Sequence, residues 1–188
     1  MASVEPSGST ERAPAAVVYT ARVESPIGEL RLASTEGGLA YLGLPKAGGR
    51  GLAGWLARFA PGARREAAFA PHRDVIRQLL EYLEGKRTRF ELPLDLRGTP
   101  FQCDVWNSLL EIPYGQTRSY GEVARSLGRP GAMRAVGSAN GANPVPLIVP
   151  CHRVIAAGGK LGGFGGGLDL KRRLLAMEQS IRHQGSLL

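Results

Sequence analysis

From Val17 the chain alternates, with Val17, Tyr19, Ala21 and Val23 on one face and Val18, Thr20, Arg22 and Glu24 on the other, the period of a half-buried strand. Pro26 and Gly28 interrupt it, Leu30 and Leu32 resume it in ELRLAST, and Gly37-Gly38 turn the chain into LAYLGL. The three runs predict a small antiparallel meander. In RDVIRQLLEYLEG, Val75, Ile76, Leu79, Leu80 and Leu83 recur at three- and four-residue spacing and Gly85 follows as a stop, so one amphipathic helix is expected to cover the sheet. Residues 48–70 stay open between helix and loop: Trp55 and Phe59 share a helix spacing, but Pro61-Gly62 cuts the pattern short. Residues 1–14, rich in Ser, Pro, Glu and Gly, read as a disordered tail. Past ELPLDLRG, where Pro93 and Gly98 mark a connection, the pattern changes, which divides the chain into an α/β domain over 15–97 and a mainly helical one over 98–182.

The second half is helical in short pieces. Thr99-Pro100-Phe101-Gln102 has capping-box spacing with proline at the first helical position, and Phe101, Val105 and Leu109 then share a face. Ser119-Tyr120-Gly121-Glu122 repeats the capping signal and opens a helix that Gly128 ends; another runs from Pro130 through AMRAVGSAN. Two short helices joined by Gly-Arg-Pro spell either a winged-helix-like helix-turn-helix or an ordinary helical hairpin. Ala132, Ala135, Gly137, Ser138 and Ala139 make the second helix a poor apolar stripe but allow close backbone approach to another surface, with Arg134 projecting from among them. Long polar side chains for base reading are scarce there, so any DNA binding is expected to be largely indifferent to sequence.

Composition sharpens this picture. Lys and Arg number 24 against 16 Asp and Glu, a net +8, and 20 of the 24 are arginines. From Gly98 onward ten basic residues face only five carboxylates. A polyanionic partner fits that balance, and the second half is the better candidate for meeting it. No apolar run approaches the roughly 20 residues of a membrane span, and no secretory signal pattern opens the chain, so the reading is a soluble, cytoplasmic monomer without membrane contact. Cys103 and Cys151 are the only cysteines. Two thiols exclude a disulfide scaffold and a multi-thiolate zinc site. Cys103 reads as incidental, Trp106 as core, and His72 and His183 as solvated surface residues.

The chemistry concentrates in one block. After Asn143-Pro144-Val145-Pro146 and the apolar Leu147-Ile148-Val149 comes Pro150-Cys151-His152-Arg153-Val154-Ile155. A cysteine beside a histidine is a candidate activated thiolate or an ordinary core filler. In an extended segment the two side chains point apart, so a bend at Pro150 or a bridging water is needed to connect them. The PCHRVI block, with NPVP before it and a glycine-rich stretch and LDLKRRLLAME after it, resembles the O6-alkylguanine-DNA alkyltransferases (methylated-DNA–protein cysteine methyltransferases) over about Thr99 to Gln179. The strand-rich first half fits that family's variable N-terminal domain.

The resemblance implies direct, single-turnover transfer of an alkyl group from O6-alkylguanine in double-stranded DNA to Cys151, with no cofactor and no metal. It implies His152 as the base acting through a water, and Glu178 as the group that orients and charges the imidazole. Asn143 would hold the active-site turn, and Tyr120 would protonate the leaving guanine. Arg134 would replace the flipped nucleotide, with Ala132, Ala135 and Gly137 on the helix approaching the minor groove. Pro146, Phe164, Gly165 and Gly166 would line the substrate pocket. Phe164 departs from the family's common tyrosine, which keeps an aromatic wall without a hydroxyl. The glycine run at 165–167 either leaves room for a larger alkyl group or merely permits a tight turn. Competing readings are a non-catalytic lesion binder that recruits other repair factors, a helix-turn-helix alkylation sensor and a cysteine hydrolase.

Overall fold

The computed structural model describes residues 16–45 and 51–185, with side chains as far as Ile181. The tail expected over 1–14 and the side chain of His183 lie outside them. The chain divides into two compact units between Arg97 and Gly98.

In the first unit β1 (Val17–Val23), β2 (Leu30–Thr35) and β3 (Gly38–Gly43) form the expected antiparallel meander. A fourth strand, β4 (Arg64–Ala67), corrects the purely antiparallel picture: it lies parallel to β1, giving the order β3-β2-β1-β4. Its sequence, RREA, is almost wholly exposed and offers no apolar alternation. Short charged edge strands of this kind carry little pattern because one row of their backbone groups meets solvent. The open segment contains a helix as well, α1 (Gly51–Phe59), and it packs Trp55 and Leu56 on Val18, Ala33 and Ala40 of the sheet. Among its described residues this unit therefore has two α-helices, the other being the expected α2 (Arg73–Leu83).

A strap after α2 completes the sheet's edge, with Leu39 N–H donating to Pro93 O and Asp95 N–H to Leu39 O. Gly38 stands at φ +123°, where a Cβ would lie 2.3 Å from Pro93 O, so only glycine allows this approach. His72 corrects the surface reading. The turn at Ala70–His72 tucks its ring to 0% exposure, and Nδ1 donates to Ala68 O at 2.9 Å. Burial pushes its pKa down, so the ring is held neutral.

The second unit is helical. α3 (Pro100–Leu110) opens on a complete capping box: Gln102 N–H donates to Thr99 Oγ1 and Thr99 N–H to Gln102 Oε1. Trp106 is core, as expected, and its indole donates to Ala139 O at 2.9 Å. β5 (Arg118–Ser119) leads into α4 (Tyr120–Ser126), again opened by a capping box between Ser119 and Glu122. The helix stops in a Schellman arrangement, with Gly128 at φ +68° and Arg129 N–H reaching back to Ala124 O. α5 (Met133–Gly141) starts three residues later than Pro130, because Arg129 to Ala132 form a turn first. β6 (Val154–Ile155) pairs parallel with β5, and α6 (Leu168–Gly185) closes the unit. Among the described residues no helix is long and apolar enough to cross a membrane.

Candidate active site

The site is built on the link between α5 and β6. Asn143 organises it through both ends of its amide: Oδ1 accepts Val145 N–H at 3.0 Å and Nδ2 donates to Val149 O at 2.8 Å. The loop so clamped contains Leu147 in the left-handed region at φ 72°, a conformation a branched side chain adopts only when its surroundings enforce it. Pro150 then bends the chain. Its φ of −81° and ψ of 61°, with Cys151 N–H donating to Val149 O at 2.8 Å, make an inverse γ-turn. One 3₁₀ turn, Cys151–Arg153, follows directly, so Cys151 and His152 are not on opposite faces of an extended strand.

Cys151 is 4% exposed, and burial pushes its thiol up to about 11. Several features oppose that shift: a hydrogen bond from Asn143 to the sulfur, the charge of Lys171, and the N–H groups of Cys151 and His152. Asn140 Nδ2 lies 3.5 Å from Cys151 O.

Behind the cysteine lies a saturated ionic cluster. Glu178, fully buried on α6, accepts from His152 Nε2 at 2.9 Å, from Arg153 Nε and Nη2 at 2.9 Å each, and from Gly115 N–H at 3.0 Å. Its interactions with His152 first and with Arg153 next outweigh burial and hold its carboxyl near 2, so it is ionised at neutral pH. A carboxylate only accepts, hence His152 Nε2 carries the hydrogen and Nδ1 carries the lone pair, the tautomer of a base. Burial, helped by the charges of Arg153 and Lys171, lowers the His152 pKa more than Glu178 raises it. The ring is therefore neutral, and the counter-charge of Glu178 is Arg153, not the imidazolium that the resemblance implies. Arg153 Nη1 also donates to Ile112 O at 2.7 Å, and its guanidinium stacks on Tyr114.

Tyr120, at the start of α4, is close enough to Cys151 for a thiolate there to raise its pKa, with burial the larger cause. Its hydroxyl lies against Gly162, where a Cβ would come within 3.1 Å. Phe164 sets its ring edge-on to His152 at 6.3 Å. Pro146 is half-buried and bridges to Val149. Gly165 and Gly166 occupy a turn closed by Gly167 N–H on Phe164 O, and a Cβ on Gly165 would meet open space. Arg134 and Ala135 are exposed on α5, while Ala132 and Gly137 are half-buried.

Thus Cys151, His152, Glu178, Asn143, Tyr120 and Phe164 converge, whereas Arg134 and Ala135 lie on the exposed surface of α5, Ala132 caps its start, and Gly137 faces the Tyr120 ring. Sequence reasoning missed Arg153 and Lys171. The signal for Lys171 is present, since Lys171, Leu174, Leu175 and Glu178 are the buried i, i+3, i+4, i+7 stripe of α6. Among the described residues no cluster of three or more His, Cys, Asp or Glu could hold a metal.

Residues 100–180 match the family described as 6-O-methylguanine DNA methyltransferase, DNA binding domain, and residues 18–96 match its ribonuclease-like domain. A methylated-DNA–protein-cysteine methyltransferase of Mycobacterium bovis is 60% identical over 106 residues, 56% of this chain and 64% of that protein, so the match spans less than two thirds of the relative. The enzyme of the same name from Methanosarcina acetivorans is 46% identical over 87% of this chain and 99% of its own. A crystal structure of Mycobacterium tuberculosis OGT in complex with DNA superposes with a TM-score of 0.74 at 46% identity, covering 87% of this chain and 94% of that one.

Proposed function

The chain belongs to the 6-O-methylguanine DNA methyltransferase family, and from that premise we propose that it repairs O6-alkylguanine in double-stranded DNA by moving the alkyl group, once, onto Cys151. The observation that carries this reading is the Cys151–His152 turn backed by an ionised Glu178, which fixes the histidine as a neutral base beside a buried thiol.

The steps balance without a cofactor. His152 Nδ1 takes the thiol proton, with one water between them. The sulfur attacks the alkyl carbon, forming the S–C bond as the C–O6 bond breaks. Tyr120 donates a proton to the departing guanine, and the proton held on His152 restores the phenol. The product is a thioether with no ionisable leaving group, so the protein does not turn over. Asn143 serves by holding the strained loop and bonding the sulfur. Phe164 gives the pocket an apolar wall, with Pro146, Gly165 and Gly166 alongside.

A lesion inside the base stack is reached only by rotating the nucleotide out, at a cost of a few kcal/mol. α4 and α5 act as a helix-turn-helix, with the β5–β6 pair at its flank. Arg134 fills the vacated stack, and the small residues Ala132, Ala135 and Gly137 let α5 approach the minor groove. The protein works as a cytoplasmic monomer. The test is a titration of duplex carrying O6-methylguanine against protein. Lesion loss should plateau at one per active molecule and be absent in Cys151→Ala; continued turnover would contradict the reading.

A further inference from the structure

The buried stripe of α6 has a charged residue at each end, and they are treated differently. Glu178 meets a cation, Arg153, in full ion pairing. Lys171 does not. It is 0% exposed, and among the described residues no carboxylate pairs with it. Its Nζ donates to two carbonyls, Val154 O at 2.6 Å and Gly163 O at 3.3 Å. Val154 is three residues past the nucleophile, and Gly163 precedes Phe164 in the glycine-rich loop. One ammonium therefore ties the strand leaving Cys151 to the loop that carries the aromatic wall.

A buried ammonium without a counter-ion is unfavourable, because two carbonyl dipoles replace only part of its hydration. Among the described residues the group in its reach that can become an anion is Cys151: the charge of Lys171 acts on the sulfur, and the sulfur acts on Lys171. The other groups facing the sulfur supply no net charge. Asn143 and Tyr120 are neutral, His152 is neutral, and Arg153 and Glu178 cancel each other.

Resting on the assignment of Cys151 as nucleophile, we infer that Lys171 is a positioning residue for it. Its ammonium supplies the positive charge against which the sulfur ionises, and its carbonyl bonds hold the glycine-rich loop beside that sulfur. Burial lowers Lys171 to about 8, so the charge is present at neutral pH and weakens in alkaline solution. The thiolate opposes that loss, which makes the two groups titrate as a pair.

The experiment follows iodoacetamide alkylation of Cys151 against pH, without DNA, in a Cys103→Ser background. Lys171→Met removes the charge at similar volume and should move the alkylation midpoint up by at least about one pH unit, an approximately tenfold slower reaction at neutral pH. Lys171→Arg should keep the midpoint near the wild type. An unchanged midpoint in a folded Lys171→Met protein overturns the inference. A second measurement needs no variant: the ¹³Cε resonance of Lys171 is titrated before and after Cys151 is capped with a neutral carbamidomethyl group. Capping should lower the Lys171 midpoint, and identical titrations would refute the coupling. Should the coupling hold in a protein that never takes a methyl group from DNA, the repair reading fails and the role of Lys171 stands. Methyl transfer without coupling leaves repair standing and removes Lys171 from it.

Discussion

Replacing Arg153 by methionine removes the cation from the Glu178 cluster while keeping a side chain of similar length. In the native protein Glu178 titrates near 2 against an ordinary value of 4.5. The unfolded state therefore binds the proton first as pH falls, and the native state gains stability as pH rises between those values. At roughly 1.4 kcal/mol per pKa unit, the shift is equivalent to about 3 kcal/mol, fully present at neutral pH. His152 and Arg153 share that shift, so the part that depends on Arg153 is smaller than the whole.

Without Arg153 the bonds from His152 Nε2 and Gly115 N–H still favour the carboxylate, and the balance moves toward burial, which pushes the carboxyl upward from its native value. Part of the pH-dependent stabilisation is then lost, because the variant's native state holds its proton more tightly than the wild-type native state does. The assay is urea unfolding from about pH 3 to pH 7, read by Trp106 fluorescence in a Trp55→Phe background so that the second unit alone reports. Destabilisation should be small at the acid end and grow with pH, to at most about 3 kcal/mol at neutrality. Adding Glu178→Gln should recover part of the loss, since no lone buried charge remains. A deficit equal at every pH, or a double variant weaker than the single, would refute this account of the cluster.

Gly162 stands at φ +67° with a Cβ position 3.1 Å from the Tyr120 hydroxyl, so Gly162→Ala should displace the phenol. Methyl transfer should slow by about tenfold, as general-acid assistance is lost, while iodoacetamide alkylation of Cys151 stays near wild type. Equal rates on DNA would remove Tyr120 from the proton path. Arg134→Ala should slow repair in duplex far more than reaction with a free O6-alkylguanine base, because only the duplex needs the flipped state held open; equal losses would contradict the role. Affinity for undamaged duplex should fall steeply with salt, read by fluorescence anisotropy, whereas a flat salt response would argue against phosphate contacts.

Local signals were legible where the physics is local. Thr99 with Gln102 and Ser119 with Glu122 make their capping boxes within one turn, and the three strands of the meander declare themselves by alternation. Asn143, Pro150, Cys151 and His152 fall within ten residues, so a motif holds them together. What escaped depends on partners far away in sequence. Strand β4 exists because β1 pairs with it across more than forty residues, and its own four residues carry no pattern. His72 looks like a surface residue until the turn before α2 folds its ring inward. Arg153 acquires its meaning only when α6 brings Glu178 to it, and the burial of His152 in that cluster is what keeps the ring neutral where an imidazolium was expected. Lys171 passes for a surface lysine in a basic helix until its place in the apolar stripe is counted.

The most direct test of the central claim is the mass of the Cys151 peptide after incubation with an excess of duplex bearing O6-methylguanine. One added methylene mass on Cys151, none on Cys103, and a yield that stops at one per molecule is the predicted result. An unmodified Cys151 peptide alongside repaired DNA, or a methyl group on another residue, would contradict it.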